Sequence, residues 1–237
     1  MITVVVLLVA AIAFANRGGG GDDSSNDGGS KSSRDKNEAA QPTAPTGQRP
    51  VSGKDTTTGI ATGFPRTEQG AQSAAANYAV ALGSVEMFKS DERQKIVPLI
   101  FTPAASSRML PELDKAYSES ALIGLGLDKN GNAPKGQTYV SRTAPVGTKV
   151  VAYSNTAATV EVWCTGVFGI AGEGSRTPVA NDWFTTTIKL RWTGQDWKTE
   201  SYSQKNGPAP VNADRTAATA EEITKAVEQY GGFTYAR

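Results

Sequence analysis

The side chains of this sequence that could take part in chemistry are carboxylates, tyrosines, lysines and arginines, because its 237 residues include no histidine and one cysteine. The absence of histidine excludes histidine-dependent acid–base catalysis, a catalytic triad that contains histidine, and the commonest metal ligand. A single cysteine, Cys164, can form neither an internal disulfide nor a thiolate metal cluster. It falls on the apolar side of a predicted strand, which favours a buried packing role.

One group of candidate site residues gathers around the opening of a predicted β-hairpin. An enclosed pocket at this position would bind a small molecule, and it would need at least two polar groups with shifted pKa values to support catalysis. The predicted pocket residues are Tyr78, Phe101, Trp163, Asp182 and Trp183. The competing interpretation is that they are ordinary core and rim residues. No catalytic residue, cofactor-binding residue or metal ligand is predicted.

A second group lies on the predicted polar face of the same hairpin and consists of Lys189, Arg191, Lys198 and Glu200. Basic residues beside an aromatic residue such as Tyr202 are typical of nucleic-acid binding, but acidic side chains interrupt this patch. The net charge of +1 also gives no overall attraction to a polyanion. We therefore predict a solvated face that is available to a protein partner, and no direct nucleic-acid binding.

A third motif, Asp128-Lys129-Asn130-Gly131-Asn132, is similar to part of a calcium-binding loop. The glutamate that closes such a loop is missing at the required distance. We therefore interpret this stretch as a turn.

The hairpin that positions the first two groups extends from Phe184 to Ser203. Gly194-Gln195 suits a type II′ turn, and the strands on either side alternate between apolar and polar residues, as expected for a sheet with one wet face. The predicted cross-strand pairs are Trp192–Trp197, Arg191–Lys198, Leu190–Thr199, Lys189–Glu200 and Ile188–Ser201. The predicted apolar face holds Phe184, Ile188, Leu190, Trp192 and Trp197. The predicted polar face holds Thr185, Thr187, Lys189, Arg191, Asp196, Lys198 and Glu200.

The residues before the hairpin predict helices followed by strands. Thr67 can cap a helix that extends to about Lys89, and shorter helices begin near Glu92 and Pro103. From Tyr139 the apolar period changes to two, which predicts strands at 146–153 and 159–170 ahead of the hairpin. Helices first and antiparallel strands afterwards predict an α+β domain over 63–206, with helices packed on one face of a curved antiparallel sheet.

The N-terminal part of the chain consists of an apolar segment, 1–16, and a low-complexity segment, 17–62. The low-complexity segment is rich in Gly, Ser, Asp and Pro and poor in large apolar residues, which predicts a disordered linker. The apolar run is shorter than the about 20 residues of a usual membrane helix. Three interpretations stay open: a single membrane anchor, a cleaved signal peptide with Ala13-Phe14-Ala15 at the cleavage site, or a buried core element.

The C-terminal part, 207–237, begins with Pro208-Ala209-Pro210 and then predicts a helix. Thr219-x-x-Glu222 is a capping-box pattern, and Ile223, Val227 and Tyr230 form a narrow apolar stripe. Docking of this helix on its own domain and docking on a partner are both open.

Two features of the chain resemble known families. The order of one long helix, shorter helices and an antiparallel meander resembles the nuclear transport factor 2-like cone. Together with an apolar run and a polar tether, it is similar to the bitopic scaffold subunit of type IV secretion and conjugation machines. The opening Gly63-Phe64-Pro65-x-Thr67-x-x-Gly70-Ala71 resembles that of actinobacterial conjugative-element envelope proteins. The basic flank that such subunits carry ahead of the apolar run is missing here.

This resemblance covers about residues 63–203 and implies a scaffold that associates with itself and with other channel components, without catalytic residues or cofactors. We therefore expect a single-pass, membrane-tethered protein whose folded domain lies outside the cytoplasm, in a conjugative DNA-transfer apparatus. The alternatives are a secreted or anchored small-molecule binding module of the same fold, and an enzyme that uses carboxylate and tyrosine chemistry.

Overall fold

The computed structural model describes residues 49–53, 59–209 and 220–230. The predicted segment 1–16 and most of segment 17–62 lie outside these residues. Within the described part, no helix has the length and apolar character that crossing a membrane requires. In chain order the elements are α1 (Glu68–Leu82), a 3₁₀ helix (Val85–Phe88), α2 (Ser90–Ile100), α3 (Pro103–Ala116), α4 (Glu119–Gly124), β1 (Thr138–Tyr153), β2 (Ala157–Ala171), β3 (Ala180–Trp192), β4 (Trp197–Asn206) and α5 (Ala220–Tyr230).

The four strands form one antiparallel meander in the order β1-β2-β3-β4, so β1 and β4 are its edges. Side chains alternate between two faces of this sheet. The helix face carries Val160, Val162, Cys164, Ile188 and Leu190, which share one core with the helices. The opposite side is called the outer face below. This arrangement confirms the predicted α+β class, with helices packed on an antiparallel sheet.

Helix α1 packs against the sheet through a buried side in which six of the eleven residues are alanine. Ala71, Ala74, Ala75 and Ala76 are fully buried, and such short side chains let the helix backbone approach the strands. Thr67 caps its start, since the Thr67 hydroxyl accepts a hydrogen bond from the Gly70 amide at 3.0 Å.

The end of α1 differs from the sequence prediction. The helix ends at Leu82 and a 3₁₀ turn follows, whereas the spacing predicted one helix to about Lys89. Gly83 is the C-cap residue, whose amide donates to the Ala79 and Ala81 carbonyls, and it lies so close to Thr143 on β1 that a Cβ would collide with that side chain. The chain therefore turns where it meets the sheet.

The hairpin register is correct at its tip and shifts further along. Trp192, Arg191 and Leu190 pair with Trp197, Lys198 and Thr199, as predicted. A β-bulge follows, and the predicted pairs Lys189–Glu200 and Ile188–Ser201 are wrong: Lys189 pairs with Ser201 and Ile188 with Tyr202. One extra residue in β4 inverts the alternation beyond it. The bulge places Tyr202 in the core, 4% exposed, and not beside the basic patch.

Candidate functional site

Asp196 forms the most densely bonded polar cluster of the hairpin. It was predicted on the polar face but is buried at the tip of the hairpin, 5% exposed. Its Oδ1 accepts from the backbone amides of Phe64 and Trp197, each at 2.9 Å. Its Oδ2 accepts from the Lys198 ammonium at 2.8 Å and lies 3.1 Å from the Tyr78 hydroxyl. A buried carboxylate requires such partners, and here they come from three parts of the chain.

The Gly63–Ala71 motif supplies the partners on the helix side of this cluster. Besides the Phe64 amide, the Pro65 carbonyl accepts a hydrogen bond from the Trp197 indole at 2.9 Å. Gly70 packs so tightly on the Pro65 carbonyl that a Cβ would collide with it. The motif therefore fixes the start of α1 against the hairpin tip.

Tyr78 is a donor in this cluster and not a base. Its hydroxyl lies 2.7 Å from the Trp197 carbonyl oxygen. Burial raises the pKa of Tyr78 strongly, and the negative charge of Asp196 raises it further. Since the phenol stays protonated and both oxygens of Asp196 are engaged, the pair is arranged to hold the fold together.

Beside the cluster, the 62–66 segment and the hairpin tip together line a surface cleft of about 790 Å³. Trp192 lines one side, and the Arg66 guanidinium lies 5.8 Å from the centre of its ring. Arg66 also donates to the Asn155 carbonyl at 2.6 Å. The cleft therefore combines a cation with an aromatic surface.

The predicted pocket residues do not line one cavity, because they lie on opposite faces of the sheet. Tyr78 and Phe101 belong to the core on the helix face, whereas Trp163 packs in a separate cluster with Trp183 on the outer face. The centres of the two indole rings are 5.2 Å apart. Asp182 accepts a hydrogen bond from the Trp183 amide at 2.8 Å, so its carboxylate is engaged at the start of the hairpin.

The outer face is partly covered by the chain that follows β4. The Trp163 indole donates to the Pro208 carbonyl, and the Thr185 hydroxyl donates to the Gly207 carbonyl, both at 2.9 Å. Thr185 was predicted on the wet face but is fully buried. The covering segment, which the alternation of the strands cannot reveal, is the reason.

Helix α5 covers the neighbouring part of the outer face, against β1. Its Ala226 and Tyr230 are buried, and the Tyr230 ring centre is 6.2 Å from that of Trp163. The Tyr230 hydroxyl donates to the Glu161 carboxylate at 2.6 Å. On the strand side, Gly147 lies directly under the Tyr230 carbonyl, where a Cβ has no room. The C-terminal helix is thus docked on its own domain.

Glu161 is the charged group of this contact. Lys149 and Lys205 approach its carboxylate to 3.6 and 3.7 Å. Burial alone would raise the pKa of Glu161, but the hydrogen bond from Tyr230 and the two lysines together hold it below its usual value. Glu161 therefore stays ionised at neutral pH and holds α5 to the sheet.

The predicted partner surface divides into two parts. Lys189 and Arg191 are exposed on the outer face, and Arg191 pairs with Glu200 through two contacts of 2.7 and 3.2 Å. Lys198 is separate, because its ammonium reaches around the edge of the sheet to Asp196 and to the Leu99 carbonyl at 2.6 Å. The polar strip on the outer face therefore combines exposed Lys189, Arg191 and Ser203 with half-buried Thr187, Glu200 and Ser201.

The 128–132 loop is a turn, as predicted. The Asp128 carboxylate accepts from the Asn130 and Asn132 amides, each at 2.8 Å. These hydrogen bonds, with that from Asn132 first, lower the pKa of Asp128. Within the described ranges, no group of three or more acidic or cysteine side chains is placed to hold a metal ion.

Comparison with known proteins gives one family. Residues 22–223 match the family model described as "Domain of unknown function (DUF8175)". The chain belongs to this family. No curated protein was found to match it. A crystal structure of the intermembrane space region of the chloroplast protein ARC6 is similar over 60% of this chain and 100% of that one, with 16% sequence identity and a TM-score of 0.35.

Proposed function

We propose that this protein is a non-catalytic scaffold that is tethered to the cell membrane and joins components of a conjugative DNA-transfer apparatus outside the cytoplasm. The observation that carries the proposal is the composition of the outer face. Trp163 and Trp183 lie there, on the side of the sheet away from the core, and a helix from beyond the four-stranded domain binds over them. Tryptophans in such positions are typical of protein-binding surfaces.

The polar groups of the interior support a scaffold over an enzyme. Asp196 and Tyr78 are the buried carboxylate and phenol beside the cleft. The Asp196 carboxylate accepts from the Phe64 and Trp197 amides and from Lys198. The Tyr78 hydroxyl lies within hydrogen-bond distance of Asp196 and of the Trp197 carbonyl. A general base needs a free lone pair within reach of a substrate. The two residues instead connect the opening motif to the hairpin.

The membrane tether and the finer fold are part of the same proposal. The apolar run 1–16 would be the anchor, residues 17–62 the linker, and the α+β domain a nuclear transport factor 2-like cone. The opening motif Gly63–Ala71 supports the relation to conjugative-element envelope proteins. Its contacts account for the glycine at position 70, where a Cβ would collide with the Pro65 carbonyl, and for the threonine at position 67, which caps α1.

Site-specific photocrosslinking in the native host tests the proposal. A photoreactive phenylalanine analogue replaces Lys189 on the outer face in the full-length protein, and Lys115 on α3 serves as the exposed control. We expect envelope-protein adducts from position 189 and few from position 115, with the protein in the membrane fraction. A cytosolic protein, or equal adducts from both positions, would contradict the scaffold proposal.

The alternative function, a small-molecule binding module, is favoured by the cleft that Trp192 and Arg66 line. An aromatic ring beside a guanidinium suits a flat anionic molecule. Ligand-observed NMR with benzoate and indole-3-acetate as probes tests it, with Trp192→Ala as the comparison. Binding of either probe that Trp192→Ala abolishes would favour the module, and binding that the substitution leaves unchanged would not.

A further inference from the structure

We infer that the groove on the outer face that holds α5 is a helix-binding site, which a second copy of this chain fills by exchange of its own α5. The groove consists of Val146, Gly147, Glu161, Trp163 and Trp183. This inference rests on the self-association that the proposed function includes. It names the surface and the element by which two copies bind each other.

The strands by themselves supply the features of a helix-binding site. Gly147 leaves space for the helix backbone to approach β1, and a side chain there would collide with the Tyr230 carbonyl. Trp163 and Trp183 form an apolar floor, on which Ala226 and Tyr230 pack. Glu161 accepts a hydrogen bond from the Tyr230 hydroxyl, a buried polar group of the helix. Shape, apolar contact and hydrogen bonding are thus all matched to this helix.

The helix is connected to the domain in a way that permits exchange. Ten residues, 210–219, separate Ala209 from Ala220, and ten residues span at most about 33–36 Å when extended. Among the α5 side chains that the structure describes, Ala226 and Tyr230 are buried, whereas Glu221, Glu222, Lys225 and Gln229 are exposed. The contacts that these described side chains make do not require that helix and groove belong to the same chain.

The α5 helix of a second copy is already complementary to this groove, because it has the same sequence as the helix that fills it. Its α5 would make the same contact with Glu161, the same packing on Trp163, and the same Lys149–Gln229 hydrogen bond of 3.3 Å. Reciprocal exchange gives a closed two-fold dimer. The intrachain helix competes at an effective concentration in the millimolar range, so exchange is favoured where many copies are confined together.

Disulfide trapping across the Lys149–Gln229 contact tests the exchange. Two full-length copies with different epitope tags, one carrying Lys149→Cys and the other Gln229→Cys, are co-expressed and oxidised. We expect a disulfide-linked dimer that contains both tags, at least tenfold above a pair in which Ser107→Cys on α3 replaces Gln229→Cys. The native Cys164 is buried and does not compete.

Two further variants separate exchange from random collision. The dimer should be lost when the Lys149→Cys copy also carries Gly147→Ala, and when the Gln229→Cys copy also carries Tyr230→Ala. The double variant Lys149→Cys with Gln229→Cys reports helix docking within one chain. An intrachain disulfide in that variant without a mixed dimer overturns the inference, as does a mixed dimer that survives both substitutions. If no variant forms a disulfide, a short bismaleimide replaces the oxidant, and the same two outcomes decide. Each of these results leaves the crosslinks from position 189 unaffected, so the scaffold proposal is judged separately.

Discussion

The backbone amide of Phe64 donates a hydrogen bond to the carboxylate of Asp196, 2.9 Å away in space and 132 residues away in the chain. This bond joins the first residues of the folded domain to the tip of its last hairpin. The Gly63–Ala71 motif therefore has a structural role, because its residues hold the start of α1 against the hairpin tip.

Removal of the Asp196 carboxylate should destabilise the domain strongly. Asp196→Ala leaves the Phe64 and Trp197 amides buried without an acceptor, and each such group costs about 1–3 kcal/mol. We expect the free energy of unfolding to fall by about 3 kcal/mol, measured by urea denaturation. Asp91→Asn, an exposed carboxylate at the start of α2, is the control and should change stability by less than about 0.5 kcal/mol. Equal effects in the two variants would contradict a central role for Asp196.

The two helical glycines Gly70 and Gly124 should respond to alanine in opposite directions. Gly70→Ala forces a methyl group into the Pro65 carbonyl and should cost about 1–3 kcal/mol through overpacking. Gly124→Ala at the end of α4 meets open space, and should stabilise the protein by up to about 0.5–1 kcal/mol because alanine favours helix. Thermal unfolding of both variants beside the wild type checks the sign. A neutral Gly70→Ala would show that the motif does not need its close contact.

Docking of α5 should weaken in acid through Glu161. Because its pKa is lowered in the folded protein from the usual 4.5, its stabilising contribution is fully present above pH 4.5 and is lost as the pH falls below that value. The charged and titratable groups around it are Lys149 on β1, Lys205 on β4 and Tyr230 on α5. Tryptophan fluorescence, which reports Trp163 beneath the helix, should change over this range while far-UV circular dichroism shows the sheet intact.

Glu161→Gln should remove most of that acid transition, because the glutamine does not titrate. Glu119→Gln, an exposed residue of α4, should leave the transition in place. A transition that is the same in wild type and Glu161→Gln would assign the fluorescence change to another group.

The thiol of Cys164 should not react in the native protein. Burial raises its pKa strongly, so the side chain stays protonated, and it is fully enclosed on the helix face. An aromatic disulfide reagent should label less than about a tenth of the protein before unfolding and all of it in guanidinium chloride, as expected for an inert buried cysteine. Ser107→Cys, exposed on α3, should react at once and serves as the control. Rapid labelling of native wild-type protein would mean that the sheet opens.

Periodicity was sufficient to predict the class of the fold. The alternation of Val160, Val162 and Cys164 predicted the helix face of β2, and those residues are buried in the core. The turn residues Gly194-Gln195 predicted the pairing of Trp192 with Trp197. These features depend on local sequence. A period of two determines which side chains share a face of the strand, and the turn residues determine which residues of the two strands pair.

The features that were missed depend on contacts between distant segments. The bulge at Glu200 arises where Phe101 and Thr102 pair with Thr199, and no local pattern in β4 shows that contact. In the sequence, Asp196 is an ordinary polar residue next to a turn. Its burial depends on the Phe64 amide, which only the folded structure brings beside it. Trp163 is different: since Val162 and Cys164 face the helices, the same alternation already places Trp163 on the opposite face from Tyr78.

The contacts of Phe64 and Pro65 also determine how the domain carries force. A pull on the chain ahead of residue 49 acts first on the hydrogen bonds that Arg49 and Val51 form with α1. It then acts where Phe64 and Pro65 meet the hairpin, through the Asp196 carboxylate and the Trp197 indole. The load then spreads into strands that are held side by side by their backbone hydrogen bonds. In a tethered protein, tension on the N-terminal chain is thus transmitted to the hairpin tip, and it loads the same hydrogen bonds that close the core of the domain.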